Sequence, residues 1–154
     1  MKEIVKKFID NRHKYQDMLI DVISLFMYRE QRYNEHFSMI LIYIQDDSYH
    51  YKFTNIIRES DKYIQLDKYL HCIFLDSSSN DTYIKGAESI LYKLQKEHLN
   101  NFYFSTVNSE NYNFDKFRMI NKSLDILQCA LKFNAYNIVI DNDYMKELEL
   151  LSEI

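Results

Sequence analysis

The chain has 154 residues, 47% of them apolar, and a formal net charge of −4, a globular composition sized for one packed domain and short for two. That charge gives no general pull toward nucleic acid or an anionic membrane, since such binding gathers Lys and Arg on one face. A single glycine, Gly86, and no proline exclude a P-loop or a dinucleotide-binding glycine motif, which need positive φ angles and close backbone approach.

In chain order, Ile4, Val5, Phe8, Ile9, Met18, Leu19, Val22, Ile23, Phe26 and Met27 recur mostly at three-and-four spacing. They predict a long amphipathic helix from about Lys2 to Tyr33, with a stop and restart near Asp10-Asn11. Phe37 to Ile44 is an Ile-rich apolar run of strand length, as expected of a central strand covered on both faces. Asp46-Asp47-Ser48 predicts the cap of a helix running to about Glu59, with Phe53, Ile56 and Ile57 inward.

Tyr63 to Leu66 and Leu70 to Leu75 read as a hairpin turning at Asp67-Lys68, where Asp supplies the turn chemistry. A polar stretch, Ser77 to Asp81, leads into a helix to about His98. Phe102 to Val107 reads as a strand, Phe114 to Phe133 as a helix with Phe117 among its inward residues, Asn137 to Ile140 as a short strand, and Asp141-Asn142-Asp143 as the cap of a last helix. The alternation predicts an α/β (α+β) fold, a mixed central sheet of about five strands flanked by helices. With no repeat and no linker, residues 1–154 form one domain, in which 1–34 is an N-terminal helical segment and 35–154 a sheet-and-helix core.

Cys72 and Cys129 lie in apolar patterns with no Cys-x-x-Cys and no secretory signal, which predicts reduced thiols and a cytoplasmic location. The longest apolar runs are far too short to span a bilayer. His13, His36, His50, His71 and His98 are scattered, and none stands at zinc spacing with either cysteine, so no metal or cofactor is expected. His71 and Cys72 are adjacent in a predicted strand and point to opposite faces, so they are not a nucleophile–base pair.

Asn11-Arg12 with the helix after it, the strand Phe37 to Ile42, the hairpin segment Asp61 to Leu75, and Asp125, Lys132 and Asn137 stand in an order and spacing that together resemble the GGDEF family of diguanylate cyclases. The segment between the first strand and Arg58 is about a helix shorter than that family has. The resemblance implies a palm-like nucleotide-cyclase fold. It also implies carboxylates that hold a divalent metal against GTP phosphates. On it, the first-strand aspartate position is Tyr43, and the five signature positions are Asp67, Lys68, Tyr69, Leu70 and His71. Tyr136 replaces the basic residue of the late Gly-Arg-Asn element, while Lys132 remains to meet a phosphate. Asp46 and Asp47 read as helix-capping residues and not as substitute ligands.

The expectation is therefore a non-catalytic GGDEF-like domain. Arg58-x-x-Asp61, five residues before the signature, matches the family's inhibitory site and implies cyclic di-GMP as ligand. A guanidinium offers a planar fork to phosphate or to guanine, and a carboxylate accepts from guanine N–H groups. The family usually recruits another arginine from a neighbouring helix, where this chain offers Lys85, Lys93 and Lys96. The plain structural alternative makes Arg58 a helix C-terminal charge and Asp61 a turn residue. A second reading is a protein-interaction or dimerisation module that uses the stripe Phe8, Leu19, Val22, Phe26 and Met27 of the N-terminal helix. A third retains GTP binding or an altered nucleotidyl transfer.

Overall fold

A computed structural model describes residues 2–45 and 52–153. The expected N-terminal helix is two: α1 (Glu3–Asp10) and α2 (Arg12–Tyr33). They part at Asn11, whose side-chain amide donates to the Lys7 carbonyl at 2.8 Å, an alternative to the helical ladder. Lys2 reaches across to the C-terminus of α4 (Lys116–Lys132), its ammonium 3.2 Å from the Lys132 carbonyl and 2.6 Å from Asn134 Oδ1. There a cation satisfies carbonyls the helix leaves open.

Strands β1 (Ser38–Ile44), β2 (Lys62–Gln65), β3 (Leu70–Leu75), β4 (Phe102–Asn108) and β5 (Ile138–Ile140) form a sheet of order β2-β3-β1-β4-β5. All neighbours are antiparallel except β4 and β5. The Ile-rich run is indeed central. Its alternate residues feed two cores, Met39 and Leu41 toward α1, α2 and α4, and Ile40, Ile42 and Ile44 toward α3 (Tyr83–Glu97). Helix α5 (Asn142–Leu151) closes the chain, its start capped by Asp141 Oδ1, which accepts from Tyr144 N at 2.9 Å. Gly86 lies in α3, where a Cβ would stand 3.0 Å from Leu75 Cδ1. The one glycine thus lies where α3 packs tightly on β3.

Several expectations need correction. The helix expected to reach Glu59 is, in its described part, one 3-10 turn at Phe53–Asn55 followed by bends. Phe53 is buried and Ile56 and Ile57 pack on the α3-side core, so the inward residues are right. The Asp61 carboxylate draws the Arg58 N–H into a local loop at 2.9 Å, which competes with helix. The expected cap, Asp46-Asp47-Ser48, lies outside the described residues. Phe117, expected inward, is 51% exposed, and the inward face of α4 begins at Met119 and Ile120.

The stripe reserved for partner binding is also used within the fold. Phe8, Leu19, Phe26 and Met27 are buried in the core and Val22 packs against it. The helices of residues 3–33 are a layer of the domain and not a detachable arm. Among the described residues, no helix is long and apolar enough to cross a membrane.

Non-glycine residues hold the left-handed backbone positions: Asn34, Ser77, Asn113, Phe114, Asn134 and Asn137 all have φ between 47° and 65°. Asparagine does so most readily, because its short amide can bond locally.

Candidate functional site

Two clefts lie on the segments that the sequence singles out. The first, of about 520 Å³, opens beside α1 and is lined by Lys7, Phe8, Tyr15, Tyr43, Asp67 and Tyr69 among others. The β1 register sets Tyr43 against Leu70 on one side and Tyr103 on the other. Its ring centroid is 6.0 Å from Tyr69 and 6.3 Å from Tyr103, and Tyr103 is 6.0 Å from Tyr136. Tyr15 donates its hydroxyl to Asp67 Oδ2 at 2.9 Å, while Asp67 Oδ1 accepts from Lys68 N at 2.7 Å. Burial, and then the neighbouring Tyr69 and Asp67, pushes the Tyr43 phenol up to about 12. Burial and the bond to Asp67 likewise raise Tyr15. The wall of this cleft is therefore aromatic, and the phenols of Tyr15 and Tyr43 are held in their neutral form.

The hairpin that carries these residues turns through Asp67, Lys68 and Tyr69, closed by Leu66 N to Leu70 O at 2.9 Å. Tyr69 is drawn in with it, because its carbonyl accepts from Ile44 N at 2.9 Å. Leu70 and His71 fall on opposite faces. Leu70 enters the α1–α2 core, while the His71 ring lies 4.7 Å from Phe53 and its Nδ1 is 2.7 Å from the Tyr63 hydroxyl.

Burial lowers His71 from 6.5 to about 4, since taking the ring from water disfavours its charged form. Above pH 6.5 both folded and unfolded rings are neutral and the fold keeps its full stability. As pH falls from 6.5 toward 4 the unfolded chain takes the proton first, and about 2 kcal/mol is expected to be lost by pH 4.5. Urea unfolding at pH 7 and 4.5 checks this: His71→Phe should show a smaller difference between the two pH values than the wild type. An equal difference would remove His71 as the cause.

The second cleft, of about 280 Å³, lies between the loop before β2 and helix α3. Arg58, Ser77, Ser78, Thr82, Ser89 and Lys93 supply its polar rim, and Ile56, Ile57, Leu75 and Ile90 its apolar wall. Arg58 and Asp61 do meet here. Arg58 Nε donates to Asp61 Oδ2 at 3.2 Å and Nη2 to Oδ1 at 3.1 Å, while Nη2 also reaches the Asp76 carbonyl. Asp61 further accepts from Arg58 N at 2.9 Å and from Asp76 N at 2.8 Å. Its side chain is 1% exposed, against 60% for Arg58. The carboxylate is a buried knot that ties the loop to the end of β3, and the guanidinium is its exposed end.

Other positions singled out by the sequence have structural partners. Arg12 pairs with Asp125 at 2.7 Å and with Gln128 Oε1 at 2.9 Å, joining α2 to α4. Asn137 accepts from Phe102 N at 3.0 Å through its side chain and donates its own N–H to Phe102 O at 2.7 Å, fixing β5 beside β4. Lys132, offered above for a phosphate, lines a different groove between α4 and α5. Sequence reasoning missed Tyr15, Tyr103 and Asp76. Asp76 lies 15 residues from Asp61, beyond any local motif; for Tyr103 the available signal was its place opposite Tyr43 on the paired strand.

No protein-family model matches the sequence, and no curated protein does either. Solved structures do match. The GGDEF domain of PA1120 (TpbB or YfiN) from Pseudomonas aeruginosa gives a TM-score of 0.67 at 11% identity, over 88% of this chain and 93% of that one. A microbial GGDEF domain described for its interaction with cyclic di-GMP gives 0.62 at 12% identity, over 84% and 89%. The GGDEF domain of DgcB from Caulobacter crescentus, in complex with cyclic di-GMP, gives 0.60 at 6% identity, over 82% and 89%. With its five-strand sheet flanked by helices, this chain has the fold of a GGDEF domain.

Proposed function

We propose that this protein is a binding module on a GGDEF fold, without diguanylate cyclase chemistry, which takes cyclic di-GMP at the Arg58 cleft. The observation that carries the reading is the pair of clefts, one closed to metal by its side chains and the other presenting an exposed cation. Magnesium asks for oxygen ligands, chiefly carboxylates. Of the described residues lining the Tyr43 cleft only Glu3 and Asp67 have carboxylates. Glu3 is paired with Lys7, and Asp67 is bonded by Tyr15 and by Lys68 N. Tyrosine stands at positions 43 and 69 in place of carboxylates, the Tyr43 phenol pushed up by burial, and the donor set does not fit the metal.

Support for the ligand comes from Arg58, held at the mouth of an apolar-walled cleft with hydroxyls and Lys93 around it. It comes also from neighbours of the same fold that are described with cyclic di-GMP. Asp61 acts here as a positioning residue behind Arg58.

Purified protein incubated with GTP and Mg²⁺ is expected to form no cyclic di-GMP by chromatography. Titration calorimetry is expected to show micromolar binding of cyclic di-GMP, weakened at least about tenfold in Arg58→Ala, the loss of roughly one charge-assisted contact. Product formation would overturn the first half of the proposal. Absent or Arg58-independent binding would overturn the second.

A further inference from the structure

The Arg58 guanidinium has a fixed number of hydrogens, and most of them are already placed. Nε has one, which goes to Asp61 Oδ2, and Nη2 has two, which go to Asp61 Oδ1 and the Asp76 carbonyl. Among the described residues Nη1 has no partner. The hydrogens of the cation left without a protein partner among the described residues are therefore on one nitrogen and make no fork. Reading guanine by its O6 and N7 edge takes two N–H groups on different nitrogens in fork geometry.

Asp61 is as fully engaged. Its two oxygens accept from Arg58 N, Nε and Nη2 and from Asp76 N, and its side chain is 1% exposed. A guanine N1–H or N2–H would have to displace these bonds from a buried carboxylate.

What is left for a ligand is charge and shape. Arg58 Nη1 and the Lys93 ammonium supply the cations, Lys93 having no ion-pair partner among the described residues, and Ser77, Thr82 and Ser89 add hydroxyls. An ammonium acts on phosphate as a point charge with no demand on orientation. The cleft, of about 280 Å³, falls just below the roughly 300–1,000 Å³ usual for small-molecule sites. Ile56, Ile57 and Ile90 offer an apolar wall to the sugar and base of a nucleoside, a contact that carries no hydrogen-bond code.

Resting on the reading above, we infer that the Arg58 cleft is a phosphate site blind to the base: it selects the phosphodiester of a nucleotide and does not distinguish guanine from adenine. The test is calorimetry on the full chain with cyclic di-GMP, cyclic di-AMP and inorganic phosphate as competitor. It is run on wild type, Arg58→Lys and Lys93→Ala, with circular dichroism to show that each is folded.

The two dinucleotides should bind within about threefold of each other, and both should weaken at least about fivefold in Lys93→Ala. Inorganic phosphate should compete with both equally. Arg58→Lys, which keeps a cation and removes any fork, should lower both affinities by a similar factor. Cyclic di-GMP binding about thirtyfold or more tighter than cyclic di-AMP, or losing far more in Arg58→Lys, would overturn base blindness while leaving the proposed ligand standing. Binding of neither dinucleotide would overturn the proposed ligand itself.

Discussion

Asp61→Ala is expected to lower the unfolding free energy by about 3 kcal/mol, because a buried carboxylate that accepts several bonds leaves its donors stranded when it goes. Most of the loss comes from the backbone N–H groups of Arg58 and Asp76, which have no other acceptor among the described residues. The Arg58 guanidinium is 60% exposed and returns to water at little cost. Asp61→Asn keeps one acceptor oxygen and should lose about 1 kcal/mol. Urea unfolding followed by circular dichroism measures both. A change below about 1 kcal/mol in the alanine variant would mean the carboxylate does not tie the loop to β3. The same substitution should abolish Arg58-dependent ligand binding, since the cation loses the two bonds that aim it.

Phe26→Ala is expected to cost about 3–5 kcal/mol, the range for truncating a buried aromatic. The ring is 2% exposed, with centroids 5.2 Å from Phe74 on β3 and 5.3 Å from Phe37 before β1. It is the pin between α2 and the centre of the sheet. The oligomeric mass of the folded fraction, measured by light scattering, should not change. A variant of undiminished stability that shifts from dimer to monomer would restore the interface role for this stripe.

The fold was legible where periodicity is unopposed. The Ile-rich run named the central strand, and Asp10-Asn11 named the break between α1 and α2, because an amide side chain that competes with the helix is a local fact. The segment 52–59 was misread as helix for the converse reason: its inward residues have helical spacing, but the Asp61 carboxylate decides its path. Arg58-x-x-Asp61 was legible as a pair and not as a geometry. Which hydrogens of Arg58 remain for a ligand depends on the Asp76 carbonyl, and no spacing rule reaches it. The stripe of α2 showed that something covers it, and amphipathicity does not say whether that is a partner or the protein's own sheet.

The left-handed turns held by asparagine have a dynamic consequence. Gly86, the one glycine, is inside α3, so no turn of the chain has the backbone latitude of a glycine hinge. Asn137 shows the alternative, a left-handed residue whose amide is bonded into the edge of the sheet. The bonds from Arg58 to Asp61 and from Tyr15 to Asp67 each act as a latch on the cleft beside them. A ligand at either cleft would be felt elsewhere as a latch opened or held, and hydrogen exchange at Asp76 and Leu70 would report which.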